Sequence, residues 1–264
     1  MTAAITDLLN ADALDDAAAA AAATVKTKPQ DLSARMVLAG LSVLQGDLKR
    51  AETHAKMAAQ FSPQDAVGLG LFRQHLRGLH ARDAWWRDGA VPTFPGGATA
   101  ADQAAVALNL ALREGNRPAT EQALETVEAA RGTRPGTWNG AAVDDLRELD
   151  DRMPHAIEAV TAGGNYMWID MSKIARIDFR PVAQPLDLVL RSAHVLLEDG
   201  AEADLVLPGL YPDPQTPLQR LGRETDFVET CGIMIGLGQR SWLAGDDMQG
   251  FLSADSIAFG TDHG

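Results

Sequence analysis

Asp144, Asp145, Asp150 and Asp151 lie just ahead of His155, and carboxylates beside an imidazole are the side chains of general acid–base catalysis. Asp151 and His155 stand four apart, which on a helix puts them on one face, whereas Asp144 and Asp145 fall elsewhere. A solvated helix face accounts for acids at this density, so an acid/base hydrolase built on Asp151 and His155 ranks last among the readings. The run Gly236-Leu237-Gly238-Gln239-Arg240 has two glycines of a nucleotide loop but lacks the third, and no Gly-Lys-Ser/Thr occurs. It reads as a turn entering a strand, with Arg240 paired to a nearby acid. Cys231 is the only cysteine, which rules out an intrachain disulfide and a Cys-rich zinc site. The histidines, at 54, 75, 80, 155, 194 and 263, never show the i, i+4 spacing of a helical metal pair. No catalytic residue, metal or cofactor is expected.

The elements that carry these residues announce themselves through a repeat. Pro-Gln-Asp occurs at 29–31 and again at 63–65, a spacing of 34. Asp31 is placed to cap a helix from Leu32 to about Gln45, Gly46-Asp47 breaks it, and Leu48, Ala51, Ala55 and Ala58 continue at helical spacing. A helix-turn-helix unit of that period is the signature of tetratricopeptide (TPR) repeats. Leu38, Ala39, Ala51, Ala58 and Pro63 fit the pattern, while its aromatic positions fall on Arg35, Ser42 and Ala55. Further helices are expected through Ala17–Ala23, from Asp65 to about Arg87, from Ala101 to Glu114 and from Pro118 to Ala130.

Glycine and proline punctuate GTRPGTWNG, from Gly132, and the alanine-rich composition ends there. Two domains are expected, an all-α TPR-like repeat over 1–132 and a small antiparallel α+β domain over 138–264, giving an α+β chain. The second contains an expected helix at about Val143–Val160, then strands at Tyr166–Asp170, Ser192–Glu198 and Ala203–Leu207. Asp199-Gly200 between the last two is a strong hairpin signal. Gly238–Leu243 and Ile257–Phe259 are further strand candidates. Residues 1–137 hold 14 basic against 15 acidic side chains and residues 138–264 hold 9 against 21, so the acidity belongs to the second half. Such a surface repels phosphate backbones and anionic lipid, and no apolar run reaches the ~18–20 residues that cross a bilayer. Neither nucleic acid nor membrane is expected as a partner, and the cytoplasm is the expected location.

The ordered segments DDLRELDDRMPHAIEAVTAGGNYMWID, PLDLVL, LPGLYP, RETDF and GLGQR resemble the ImpE/TagJ family, and the first half adds its P-x-D and G-D-x-x-R-A patterns. Asp150, Arg152, Glu158, Gly164, Tyr166 and Trp168 fall on the family's D-x-R, glutamate and G-x-Y-x-W positions, as do Pro208, Tyr211, Pro212, Gly236, Gly238, Gln239 and Arg240 on later ones. Met153-Pro154-His155 stands where the family has Leu-Gly-Pro, and a tryptophan is missing near Leu190. The resemblance implies a non-catalytic accessory protein of bacterial type VI secretion. It further implies binding to the N-terminal helix of the TssB-type small sheath subunit and to the ClpV-type ATPase that disassembles sheaths. A TPR-like scaffold for an unrelated client is the alternative. Arg35, Arg73 and Arg77 are expected to line the repeat groove, and Trp85 and Trp86 to end the long helix with one ring half exposed. Asp150 and Arg152, two apart on the expected helix, are expected to serve different contacts.

Overall fold

The computed structural model describes residues 2–61 and 63–260, so His263 lies outside the described residues. Seven helices come first: α1 (Ala3–Asn10), α2 (Leu14–Thr27), α3 (Leu32–Leu44), α4 (Leu48–Phe61), α5 (Ala66–Asp88), α6 (Ala100–Arg113) and α7 (Arg117–Arg131). Their ends follow local chemistry. The Asp31 carboxylate accepts from Ala34 N at 3.0 Å, as the repeat requires, and Thr99 with Asp102 forms a reciprocal capping box at the start of α6. The α3–α4 hairpin closes over Ala39, Ala51, Ala55 and Ala58, all fully buried, because only methyl side chains admit backbones so near one another.

Thirteen strands follow: β1 (Gly136–Trp138), β2 (Ala141–Val143), β3 (Leu146–Glu148), β4 (Ala156–Val160), β5 (Tyr166–Asp170), β6 (Ile174–Phe179), β7 (Leu190–Leu197), β8 (Glu202–Pro208), β9 (Thr225–Thr230), β10 (Ile233–Gly238), β11 (Ser241–Ala244), β12 (Asp247–Gly250) and β13 (Ser256–Phe259). A four-residue helix, α8 (Pro217–Arg220), and short 3₁₀ turns are the only other helical pieces among the described residues. Eight strands make one antiparallel sheet in the order β2-β1-β13-β6-β7-β8-β4-β5, flanked by the β9–β10 hairpin and the β12-β11-β3 ribbon. The β7–β8 hairpin turns at Asp199-Gly200 as expected. The helix expected over Val143–Val160 does not form. That segment is β2, β3, a turn and β4, and the strand expected across Gly238–Leu243 is broken between β10 and β11.

Strand periodicity assigns the two sheet faces. On β4, Ala156 and Val160 face the helices while Ile157 and Ala159 face a second core with Trp138, Ile177, Leu207, Trp242 and Phe251. The first core is shared: Leu76, Leu79 and Trp85 of α5 pack with Val160, Tyr166, Trp168 and Leu210. The approach is close enough to demand glycine. A methyl at Gly78 would sit 2.2 Å from Val160 Cγ1, and Gly164, at φ 76°, turns β4 into β5 with its Cα against the Gln74 carbonyl. After α5, Thr93 N–H donates to Tyr166 O and Trp168 N–H to Thr93 O, so the connecting loop covers the edge of β5.

Candidate functional site

Glu158 lies on the helix-facing side of β4 by the same alternation, and it is completely buried where α5 crosses the sheet. Four side chains converge on it. Arg82 donates bidentately through Nε at 2.8 Å and Nη2 at 2.7 Å, Trp86 Nε1 at 2.8 Å and Tyr166 OH at 2.5 Å, and Arg240 Nη2 completes the shell. Arg240 comes from the turn between β10 and β11 and also grips Glu148 at the end of β3. Tyr211 OH donates to Glu148 Oε1 at 2.6 Å while accepting from Ser241 N at 3.0 Å. Trp168 Nε1 donates to Tyr166 OH at 2.7 Å, extending the chain of bonds across β5. A methyl on Gly236 would lie 2.3 Å from the Tyr211 ring, so this strand position admits nothing larger.

Asp150 and Arg152 are the correction that the missing helix entails. In the turn after β3 they pair bidentately, Nε to Oδ1 at 2.9 Å and Nη2 to Oδ2 at 2.5 Å, and Asp150 also accepts from Gly236 N at 3.1 Å. The Arg152 guanidinium lies 4.5 Å from the centre of the Trp86 ring. Three arginines (82, 152, 240) therefore face three acids (148, 150, 158), and the node is neutral while every member is nearly or wholly removed from water.

The electrostatics make this a fixed assembly. Burial alone would raise the Glu158 pKa, but the charges of Arg82 and Arg240 outweigh it and hold the group at about 2. Burial, then the Glu158 charge, lifts Tyr166 well above its ordinary value, and burial with Glu148 does the same for Tyr211. Glu148 itself is pushed up by burial, since it shares Arg240 with Glu158 and has Asp150 beside it. At neutral pH, Glu158 stays ionised and both phenols stay protonated, so what these three can do is hold geometry.

The expected Asp151–His155 face is also dispersed. Asp151 takes Arg147 at 2.5 Å and the Met234 amide at 2.7 Å, whereas His155 Nε2 contacts Asp102 at 3.0 Å. Arg35, expected on a groove, is buried in the α3–α4 hairpin, with Nε donating to Pro29 O at 2.6 Å and its guanidinium 5.3 Å from the Phe61 ring centre. Trp85 is buried and Trp86 half-buried against Trp168 at 5.8 Å, so both serve the helix–sheet contact. Trp138 packs on Trp242 in the second core, away from that contact. Arg73 and Arg77 are exposed and line a shallow depression with Glu52, Gly70 and His80.

The apolar groove lies on the opposite face of α5. Met36, Val37, Gly40 and Leu41 of α3 form one wall, Gly68, Leu71, Phe72 and His75 of α5 the other, and residues 183–186 close it, enclosing about 640 Å³. Leu71 and Val67 are exposed at 42% and 88%, on a helix whose other apolar side chains are mostly buried. A Cβ at Gly40, midway along α3, or at Gly68, in the first turn of α5, would meet open space, so these glycines widen the groove and relieve no crowding. Sequence periodicity missed it because the same leucine spacing serves a core face or an open one. Arg82 and Glu148 were missed because their partners lie 76 and 92 residues away.

Fold and site together define the class: an α+β protein whose TPR-like helical half is bolted to an antiparallel sheet through a neutral buried node, leaving an apolar groove between helices. The sequence model of the family described as ImpE protein matches residues 140–258, a span that holds Glu148, Asp150, Glu158, Tyr211 and Arg240. The "Type VI secretion system accessory component TagJ" of Pseudomonas aeruginosa is 26% identical over 237 residues, covering 87% of this chain and 82% of that protein. A crystal structure of protein VPA1032 from Vibrio parahaemolyticus shares the fold with a TM-score of 0.91 at 22% identity, over 98% of each chain. The second half of the chain thus matches the ImpE family model, and the chain over most of its length is similar to a type VI secretion accessory component.

Proposed function

We propose that this chain is a non-catalytic adaptor of a bacterial type VI secretion system, acting in the cytoplasm, whose groove between α3 and α5 receives the N-terminal helix of a TssB-type small sheath subunit. The same protein would meet a ClpV-type ATPase and so link sheath to disassembly machinery. The observation that carries the reading is the groove itself. An amphipathic helix offers an apolar stripe, and Met36, Val37, Leu71, Phe72 and Leu186 offer a matching apolar trough rimmed by Ser33, His75 and Gln184. Arg73 and Arg77 lie on the opposite face of α5, beside Glu52 of α4, where they would serve a contact separate from this helix. The first half is nearly neutral and the second strongly acidic, which steers a basic partner surface toward the sheet side. Similarity to a type VI secretion accessory component supports the secretion context.

Titration calorimetry of a synthetic TssB N-terminal helix, and separately of ClpV, into the purified protein tests the proposal. Saturable one-to-one binding of the peptide with a dissociation constant of roughly micromolar order, typical of a few buried anchors, is the expected result. No heat and no competition with either component at ~100 µM, some two decades weaker, would reject it.

A further inference from the structure

Three side chains kept far apart in sequence meet where α6 abuts the end of β5. Asp102 is the third residue of α6, His155 immediately precedes β4, and Asp170 closes β5. Their relative exposures are 0%, 1% and 3%. One carboxylate oxygen from each aspartate and one His155 ring nitrogen lie within 4.8 Å of one another. His155 Nε2 is 3.0 Å from Asp102 Oδ1. Thr99 Oγ1 sits between the two acids, 3.0 Å from Asp102 Oδ2 and 2.5 Å from Asp170 Oδ2.

The charges here do not balance as they do around Glu158. Among the described residues no arginine or lysine pairs with either aspartate; the only cationic candidate is His155. The Thr99 hydroxyl has one proton to give and two carboxylate oxygens within reach. His155 supplies at most one positive charge against two negative ones, and its buried Nδ1 has no partner among the described residues. A divalent cation supplies both charges at once. Imidazole with two carboxylates suits first-row divalent ions, zinc above all, with Thr99 Oγ1 or a water completing four ligands at about 2.0–2.2 Å.

We propose that Asp102, His155 and Asp170 form a structural Zn²⁺-class site that pins the start of α6 to the end of β5. Sequence spacing pointed to no metal because the ligands come one each from three elements, 53 and 15 residues apart, with none of the paired spacings of local motifs. The site would hold the helical half to the sheet at a second point, independent of the arginine node.

The test uses the full chain, stripped with a chelator and then titrated with Zn²⁺, with metal counted by mass spectrometry after dialysis. About one Zn²⁺ per chain, a raised melting temperature and at least about tenfold weaker binding in Asp170→Asn are expected. His194→Ala, which removes the exposed imidazole between Glu202 and Asp204, leaves the count unchanged. Should Asp170→Asn not fold, Co²⁺ on the wild-type chain gives an independent reading, namely ligand-field absorption of tetrahedral N/O coordination. Failure of the wild-type chain to retain metal, or retention unaltered in a folded Asp170→Asn and abolished in His194→Ala, would overturn the proposal. So would a Co²⁺ spectrum indistinguishable from the aqueous ion.

Discussion

The two ends of α5 are built for opposite purposes. From Gly78 to Trp86 the helix is clamped: Leu79 and Trp85 are buried, Arg82 and Trp86 both bond Glu158, and Gly78 lets Val160 touch the backbone. From Val67 to His75 the same helix buries Leu69 and Phe72 but keeps Val67 and Leu71 at the surface, beside glycines that nothing crowds. One end spends its sequence on a specific orientation of helix to sheet, and the other leaves an apolar face for something else to cover. The lesson is that the residues matching the family motifs and the residues open to a partner are largely different sets, with the first holding the second in place.

The largest expected effect breaks the clamped end. Glu158→Gln keeps the shape but leaves Arg82 and Arg240 without their shared charge, and loss of one partner from a buried pair costs ~3–5 kcal/mol. Urea denaturation should show that loss, together with reduced amounts of soluble protein. Acid titration sharpens the same point. Glu158 has its folded-state pKa depressed from 4.5 to about 2, so its contribution is complete above about pH 4.5 and disappears as pH falls toward 2. The shift is worth about 3 kcal/mol, and the raised pKa of Glu148, which favours proton uptake by the folded chain, offsets part of it. Stability measured from pH 6 down to 2 should fall more steeply for the wild type than for Glu158→Gln.

The open end should respond in the reverse manner. Gly40→Leu fills the groove and replaces a helical glycine with a better helix former, so folding stability should stay level or rise by up to about 1 kcal/mol. Affinity for the helical partner should fall at least tenfold, about 1.4 kcal/mol. The smallest effect is on the outer face. Arg73 meets Glu52 at 3.9 Å with both side chains nearly half exposed, and Arg73→Ala should change stability by less than about 0.5 kcal/mol by denaturation.

This contrast also explains what the sequence disclosed. From α3 to α7 the helices were legible to within a few residues because their signals are local, the Asp31 cap, the Gly46 break and alanines at helical spacing, whereas α1 went unread and α2 was seen only through its alanine run. The family residues were legible by resemblance, though their partners were not. The stretch from 143 to 160 misled, since Val143, Leu146, Met153, Ile157 and Val160 recur at helix-like intervals and Arg147–Asp151 is a helix-like i, i+4 pair. That pair does form, but across a turn, while Arg147 also reaches back to Glu128 on α7. What decided the outcome was non-local: Met153 and Val160 serve one core and Leu146 and Ile157 the other, and Glu158 finds Arg82 in the opposite half of the chain. Arg35 was misplaced for a related reason, because an arginine at a repeat's aromatic position was read as surface when it fills the hairpin interior beside Phe61.

Amide hydrogen exchange with and without the TssB N-terminal helix bears most directly on the groove as docking face. The account predicts slowed exchange confined to α3, the first half of α5 and residues 183–186, with the second half of α5 and β4 equally protected in both states. Protection appearing elsewhere, with those three segments unchanged at saturating peptide, would contradict it.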